Sequence, residues 1–154
     1  MATDWRWRAF DALTARELHD ILKLRCDVFV VEQACAFPEI DGRDPEAHHL
    51  MGFEASGLAG CLRLFGPSAE EPAWRIGRIA VGPGQRGTGL GHRMMAEALR
   101  FAAEGSPGHA IVLSAQSRLE AFYARHGFEA EGLPYLEDGI EHVDMRRPGH
   151  TGLT

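Results

Sequence analysis

The chain has 154 residues, 45% hydrophobic and 25% charged, a length and balance suited to one folded domain with a buried core. Sixteen Lys and Arg against 22 Asp and Glu leave a formal net charge of −6, which argues against nucleic-acid binding on a basic face and is compatible with a cationic substrate such as an amine. Cys26, Cys35 and Cys61 are odd in number and carry no C-x-x-C spacing, and no apolar run forms a signal-peptide core or approaches a membrane span, so a cytoplasmic protein with reduced thiols and no membrane partner is expected.

In chain order, Trp5 to Phe10 alternates large apolar and basic residues and reads as a first strand. Thr14-Ala15-Arg16-Glu17 is a capping box, and Leu18, Ile21, Leu22, Arg25, Val28 and Phe29 behind it fall at helical spacing, predicting one helix that ends near Val30-Val31. Residues 32–46 form a long acidic loop, the kind of segment that carries function. His49 to Ala55 and Leu58 to Phe65 read as a hairpin about Ser56-Gly57, and Ala73 to Val81 as a further strand. A helix is expected over about 88–104, with the stripe Leu90, Met94, Ala98, Phe101 and Ala102 as core and Gly105 as its stop. Then come a buried strand at 110–115, a short helix at 118–126 stopped by Gly127, and strands at 128–133 and 140–145 joined through the hairpin signal Asp138-Gly139. The order β-α-β-β-β-α-β-α-β-β makes a mixed sheet flanked by helices the simplest packing. The domain is expected over 1–147, with a polar tail over 148–154.

The run Gln85-Arg86-Gly87-Thr88-Gly89-Leu90-Gly91 follows the apolar Ile79-Ala80-Val81 and opens a helix. Strand, glycine-rich turn and helix start aim free backbone N–H groups at one spot, where the helix dipole adds positive potential, so an anion is expected there. Three ligands compete. Gly82 and Gly87 have P-loop spacing, but Thr88 stands where the phosphate-binding lysine belongs. Gly82-Pro83-Gly84-Gln85-Arg86-Gly87 satisfies G-x-G-x-x-G, but the next strand ends in Leu113-Ser114-Ala115-Gln116 without the acid a dinucleotide ribose needs, and Pro83 removes an amide. Arg86-Gly87-Thr88-Gly89-Leu90-Gly91 matches the third pattern, [QR]-x-x-G-x-[GA].

That pattern resembles the pyrophosphate loop of the GNAT superfamily, the acetyl-CoA-dependent N-acyltransferases. Phe122-Tyr123-Ala124-Arg125-His126-Gly127-Phe128 resembles the F-Y-x-x-x-G-F segment that follows the next strand in that superfamily. Arg25 to Gln33, Cys35, Glu39-Ile40-Asp41-Gly42-Arg43-Asp44, Ile76-Gly77-Arg78, Ala115-Gln116 and Glu137 to His142 resemble the ElaA-like branch, so the likeness spans about residues 5–147. Arg25-x-x-x-Phe29 with Glu39-x-Asp41-x-x-Asp44 also resembles the acyl-homoserine-lactone synthases, which share the fold. The resemblance implies an α/β (α+β) single domain with a mixed, mostly antiparallel sheet of six to seven strands. It implies acetyl-CoA as acyl donor, no metal, and direct attack of a small-molecule or peptide amine on the thioester. Ile79, Ala80, Val81, Arg86, Gly87, Thr88, Gly89, Leu90, Gly91 and Gln116 would hold the donor, and Tyr123 would protonate the departing thiolate. A CoA-binding sensor without catalysis is the alternative from another class, and a homodimer is left open.

The strand Trp74-Arg75-Ile76-Gly77-Arg78-Ile79 lacks the glutamate that some GNAT members use as base. Glu32, Glu39, Asp41, His49 and His142 are therefore candidate bases, and Glu32, Asp41, His49 and His142 candidate acceptor ligands. Each also has an ordinary reading as a solvated loop charge or a satisfied histidine. Arg25, Arg63 and Arg78 are expected to pair with acids of the 32–46 loop rather than with a substrate carboxylate. His48 and His49 are adjacent on a strand and point to opposite faces, which argues against a metal site with Asp41 and Asp44.

Overall fold

The computed structural model describes residues 2–149. Strands β1 (Asp4–Ala9), β2 (His48–Glu54), β3 (Gly57–Phe65), β4 (Ala73–Val81), β5 (Ala110–Gln116), β6 (Glu129–Glu137) and β7 (Ile140–Arg147) form one seven-stranded sheet in the order β1-β2-β3-β4-β5-β7-β6. Neighbours run antiparallel except β4 and β5, which are parallel. Helices α1 (Ala15–Cys26), α2 (Leu90–Gly105) and α3 (Glu120–Ala124) cover the sheet.

Strand alternation sorts the core between two faces. Leu50, Leu62, Leu64, Trp74 and Ile76 meet Leu90, Met94, Met95, Ala98 and Ala102 of α2. Met51, Cys61 and Ala80, on the opposite face, meet Ile21 and Val28 of the first helical segment. Gly60 lets α2 approach closely, since a Cβ there would lie 2.6 Å from Met94 Sδ. His48 turns toward Trp74 and Phe101, while His49 turns the other way and contacts the Asp44 carbonyl at 2.9 Å.

The capping box forms as read: Thr14 Oγ1 accepts from the Glu17 amide at 3.0 Å and Glu17 Oε1 from the Thr14 amide at 2.9 Å. The helix behind it is not uniform. α1 ends at Cys26 and continues as six residues of π-helix, Asp27–Glu32, a wider winding that clusters at functional sites. Apolar spacing at Val28 and Phe29 fits either winding, so periodicity alone did not reveal the change. Asp138 and Gly139 both take positive φ, +51 and +79, as a two-residue hairpin turn requires. β6 and β7 each run beyond the expected strands, β7 to Arg147, because residues 146 and 147 pair with Val112 and Ile111 of β5. Of the tail expected at 148–154, residues 150–154 lie outside the described residues.

Candidate active site

β4 and β5 pair only at Ala73–Ala110, Trp74–Ile111 and Arg75–Val112. Beyond these rungs β4 runs to Val81 and β5 to Gln116 with no further pairing between them. A bulge supplies one cause. Against β3, Cys61 faces Ala80 but Arg63 faces Gly77, so β4 carries one extra residue, and Arg78 within it has φ +51. A bulge bends its strand and raises the local twist, here turning β4 away from β5. The left-handed backbone at Arg78 costs about 1 kcal/mol or more for a residue with a Cβ. Its guanidinium offsets this by donating to Glu39 Oε2 at 2.9 Å and to the Glu39 carbonyl at 3.3 Å.

The strands open a cleft of about 710 Å³. Ile76, Gly77, Ile79 and Val81 line one wall, and Leu113, Ser114 and Gln116 the other. At its end stands the glycine loop. Gly87 and Gly89 take φ +78 and +84, and a Cβ at either would meet nothing within 4 Å. Among the described residues, the amides of Gly87, Thr88, Gly89, Leu90 and Gly91 donate to no protein acceptor, so five consecutive N–H groups stand open at the start of α2. Gly91 packs against the α3 side of the cleft, where a Cβ would lie 3.3 Å from Phe122 Cζ. Arg86 donates from both terminal guanidinium nitrogens to the Glu32 carboxylate, and at 3.2 Å to the Val81 carbonyl.

Tyr123, on α3, also lines the cleft. Phe122 and Phe128 meet its ring edge-on, with centroids 5.0 and 6.3 Å away. Burial pushes its hydroxyl up to about 12, so the phenol keeps its proton at neutral pH.

The 32–46 loop forms the far side. Cys35 Sγ meets the Asp138 carbonyl at 3.3 Å, tying this loop to the β6–β7 turn across the cleft. Beneath it lies a cluster of three arginines and three carboxylates. Arg25 bonds Glu39 at 2.6 Å and Asp44 at 2.7 Å, and Arg63 bonds Asp41 at 2.6 Å and Asp44 at 2.9 Å. Arg78 completes it through Glu39. Arg25 is 1% exposed. The Arg63 guanidinium beside Asp41 holds that carboxyl well below the usual carboxylate range. Burial pushes Asp44 upward, but Arg25 and Arg63 outweigh it and the net direction is down.

A chain with this cradle and split sheet invites comparison with known proteins. The family model described as Acetyltransferase (GNAT) domain matches residues 18–148. The chain belongs to the GNAT family. A UPF0039 protein of Mycobacterium tuberculosis is 43% identical over 141 residues, covering 89% of this chain and 88% of its own. The protein ElaA of Escherichia coli is 33% identical over 146 residues, covering 94% and 95%. The crystal structure of an acyl-CoA N-acyltransferase from Pseudomonas aeruginosa superposes with TM-score 0.90 at 42% identity, over 95% of this chain and 99% of that one. The acyl-homoserine-lactone synthase LasI, at 20% identity and TM-score 0.75, shares the fold alone. The mixed, mostly antiparallel sheet flanked by helices is thus the GNAT acyl-CoA N-acyltransferase fold.

Within this GNAT fold the expected site residues separate. Ile79, Val81, Arg86, Gly91 and Gln116 line the cleft, as do Glu32, Asp41 and His142. Ala80 and Leu90 bury their side chains in the two cores and face the cleft with backbone at most. His49 does not line it: at 1% exposure it is sealed behind Asp44, and burial lowers its basicity. His49 is a core histidine rather than an acceptor ligand, because its strand position points it at the arginine cluster. The carboxylate candidates are engaged: Glu32 by Arg86, Glu39 by Arg25 and Arg78, Asp41 by Arg63. Sequence reasoning missed Gln33, Arg118 and Glu137 as cleft residues. The segments Arg25 to Gln33 and Glu137 to His142, quoted for their family likeness, hinted at Gln33 and Glu137, whereas nothing pointed to Arg118.

Proposed function

We propose that this GNAT protein transfers an acetyl group from acetyl-CoA to a primary amine by direct attack. The observation that carries this reading is the continuity of the open amides of residues 87–91 with the unpaired backbone of β4 and with Tyr123 across the cleft. Amides of the glycine loop, with Arg86, suit a pyrophosphate, and the Ile79–Val81 backbone suits an extended pantetheine arm bonded as a strand would be. N–H groups of the open strand polarise the thioester carbonyl where negative charge develops. Tyr123, protonated at neutral pH, donates to the departing thiolate. Gln116, held near Gln33 at 3.3 Å, borders the same space. The glycine loop favours CoA over the acyl carrier of the lactone synthases. The acceptor is a small molecule or a peptide amine, reaching the thioester on the side of the cleft lined by the 33–38 loop and the β6–β7 turn.

The test is a free-thiol release assay over a panel of primary amines and acyl-CoA chain lengths. Amine-dependent release above hydrolysis is expected, strongest with acetyl. Tyr123→Phe should lower kcat by about 10²–10⁴-fold while acetyl-CoA binding persists. No release with any amine leaves a CoA-binding module and ends the enzyme reading.

A further inference from the structure

The β6–β7 hairpin places a histidine and a carboxylate together at the cleft. His142, on β7, stands opposite Gln116 of β5 on one side and Tyr135 of β6 on the other. The Tyr135 ring stacks near it, centroids 6.1 Å apart with planes 23° from parallel. Its Nδ1 lies 2.7 Å from the Ile140 carbonyl oxygen. A carbonyl only accepts, so in this contact Nδ1 carries the hydrogen and the neutral ring keeps its lone pair on Nε2. That nitrogen lies 3.4 Å from Glu137 Oε2. Two acceptors at that distance repel unless a proton or a cation lies between them. The His142 side chain is 10% exposed and Glu137 54%, and both line the cleft that Tyr123 enters.

We infer that His142 and Glu137 form the receptor for the acceptor's ammonium group, with Glu137 binding its charge and His142 Nε2 taking its proton. This inference rests on the acyl-transfer reading above. The arrangement fits because each other candidate base is tied to an arginine or sealed from the cleft, whereas Nε2 has no donor of its own. The steps balance. One ammonium proton passes to Nε2, leaving a neutral amine and an imidazolium beside Glu137. The amine nitrogen bonds to the thioester carbon, the carbon–sulfur bond breaks, and the Tyr123 hydroxyl protonates sulfur. The second nitrogen proton returns to the tyrosinate oxygen, and the imidazolium proton leaves to water.

The charged and titratable groups around the ring also matter for its protonation. β6 contributes Glu137 and Tyr135, the turn Asp138, and the 33–38 loop Cys35. The segment after β5 contributes Arg118 and Tyr123, while β5 itself presents Gln116, which is uncharged. Glu137 is the one whose carboxylate meets the imidazole.

The test uses the full chain saturated with CoA and reads the His142 ring nitrogens by NMR, with and without simple alkylamines. The inference expects the Nδ1–H tautomer in the neutral ring, and a shift of the Nε2 signal on amine addition that Glu137→Gln weakens at least severalfold. In turnover, His142→Gln should lower kcat by about 10²–10⁴-fold and flatten the acid limb of the pH–rate profile. Glu137→Gln, at an exposed position that folding tolerates, should raise KM for the amine. An Nε2–H tautomer, an amine response unchanged in Glu137→Gln, or a full acid limb in His142→Gln would overturn it. The tautomer and amine-binding readouts need no turnover, so they separate failure of this pair from failure of acyl transfer itself.

Discussion

Arg25 shows how a single residue serves both fold and site. Its guanidinium spans Glu39 and Asp44 inside the protein and so fixes the acidic loop against α1. Removing one partner from a buried ion cluster leaves uncompensated charge, so Arg25→Ala should cost about 3–5 kcal/mol in urea unfolding. Titration adds a second prediction at this scale. Burial lowers His49 and His126, so both take up protons less readily in the fold than in the unfolded chain, where a histidine titrates near ~6.5. Below that pH the unfolded chain binds more protons, and stability falls with pH. Asp41 and Asp44 are depressed in the fold. Their contribution is complete above the unfolded carboxylate range near ~4 and is lost as pH drops from there through the folded values. Melting temperature against pH should therefore fall in two stages, one starting below about 6.5 and one below about 4. The arginine pairing was legible in the sequence, since three arginines in apolar stretches faced one acidic loop. The sealing of His49 was not, because a residue's exposure depends on what the chain lays over it.

At the scale of elements, the glycine loop, α2 and the π-helical turn act together. Glu32 ends the π-helix and meets Arg86 from the loop, so the first helical segment reaches the expected pyrophosphate site. An exposed pair of this kind competes with the ligand for one guanidinium. Glu32→Gln should tighten acetyl-CoA binding by about two- to fivefold at low salt, with the gain fading as ionic strength rises. No change across salt concentrations would show that Glu32 and the donor do not share Arg86. Caps, turns and periodicity made nearly every element legible: the Thr14 cap, the Asp138-Gly139 turn and the α2 stripe each carry a local physical cause. The π-helical winding and the bulge at Arg78 carried no such local cause. Both arise where tertiary contacts override propensity, and both shape the cleft.

For the whole molecule, the order and spacing of two motifs already pointed to the GNAT fold, and the matched family and the seven-stranded sheet agree with it. What sequence could not supply is the far side of the cleft, proposed above as the acceptor side, which only folding assembles from the 32–46 loop, β4 and the β6–β7 hairpin. β6 is one outer edge of the sheet. β6 is exposed along its length, with Leu133 86% and Leu136 74% exposed. Glu129, Glu131, Glu137 and Pro134 blunt strand pairing along this edge, so we propose that the exposed Leu133 and Leu136 side chains, rather than added backbone pairing, support a homodimer. Sedimentation should then give a dimer that Leu133→Glu with Leu136→Glu disperses. A monomer at all concentrations would remove this proposal.

The claim on which the rest depends is that the cleft takes CoA. Titration calorimetry of the full chain with acetyl-CoA, and separately with NADH, addresses it. Saturable acetyl-CoA binding is predicted, weakened about tenfold or more by Arg86→Glu through charge reversal at the pyrophosphate, with no heat from NADH. Tight NADH binding with no response to acetyl-CoA would contradict the account.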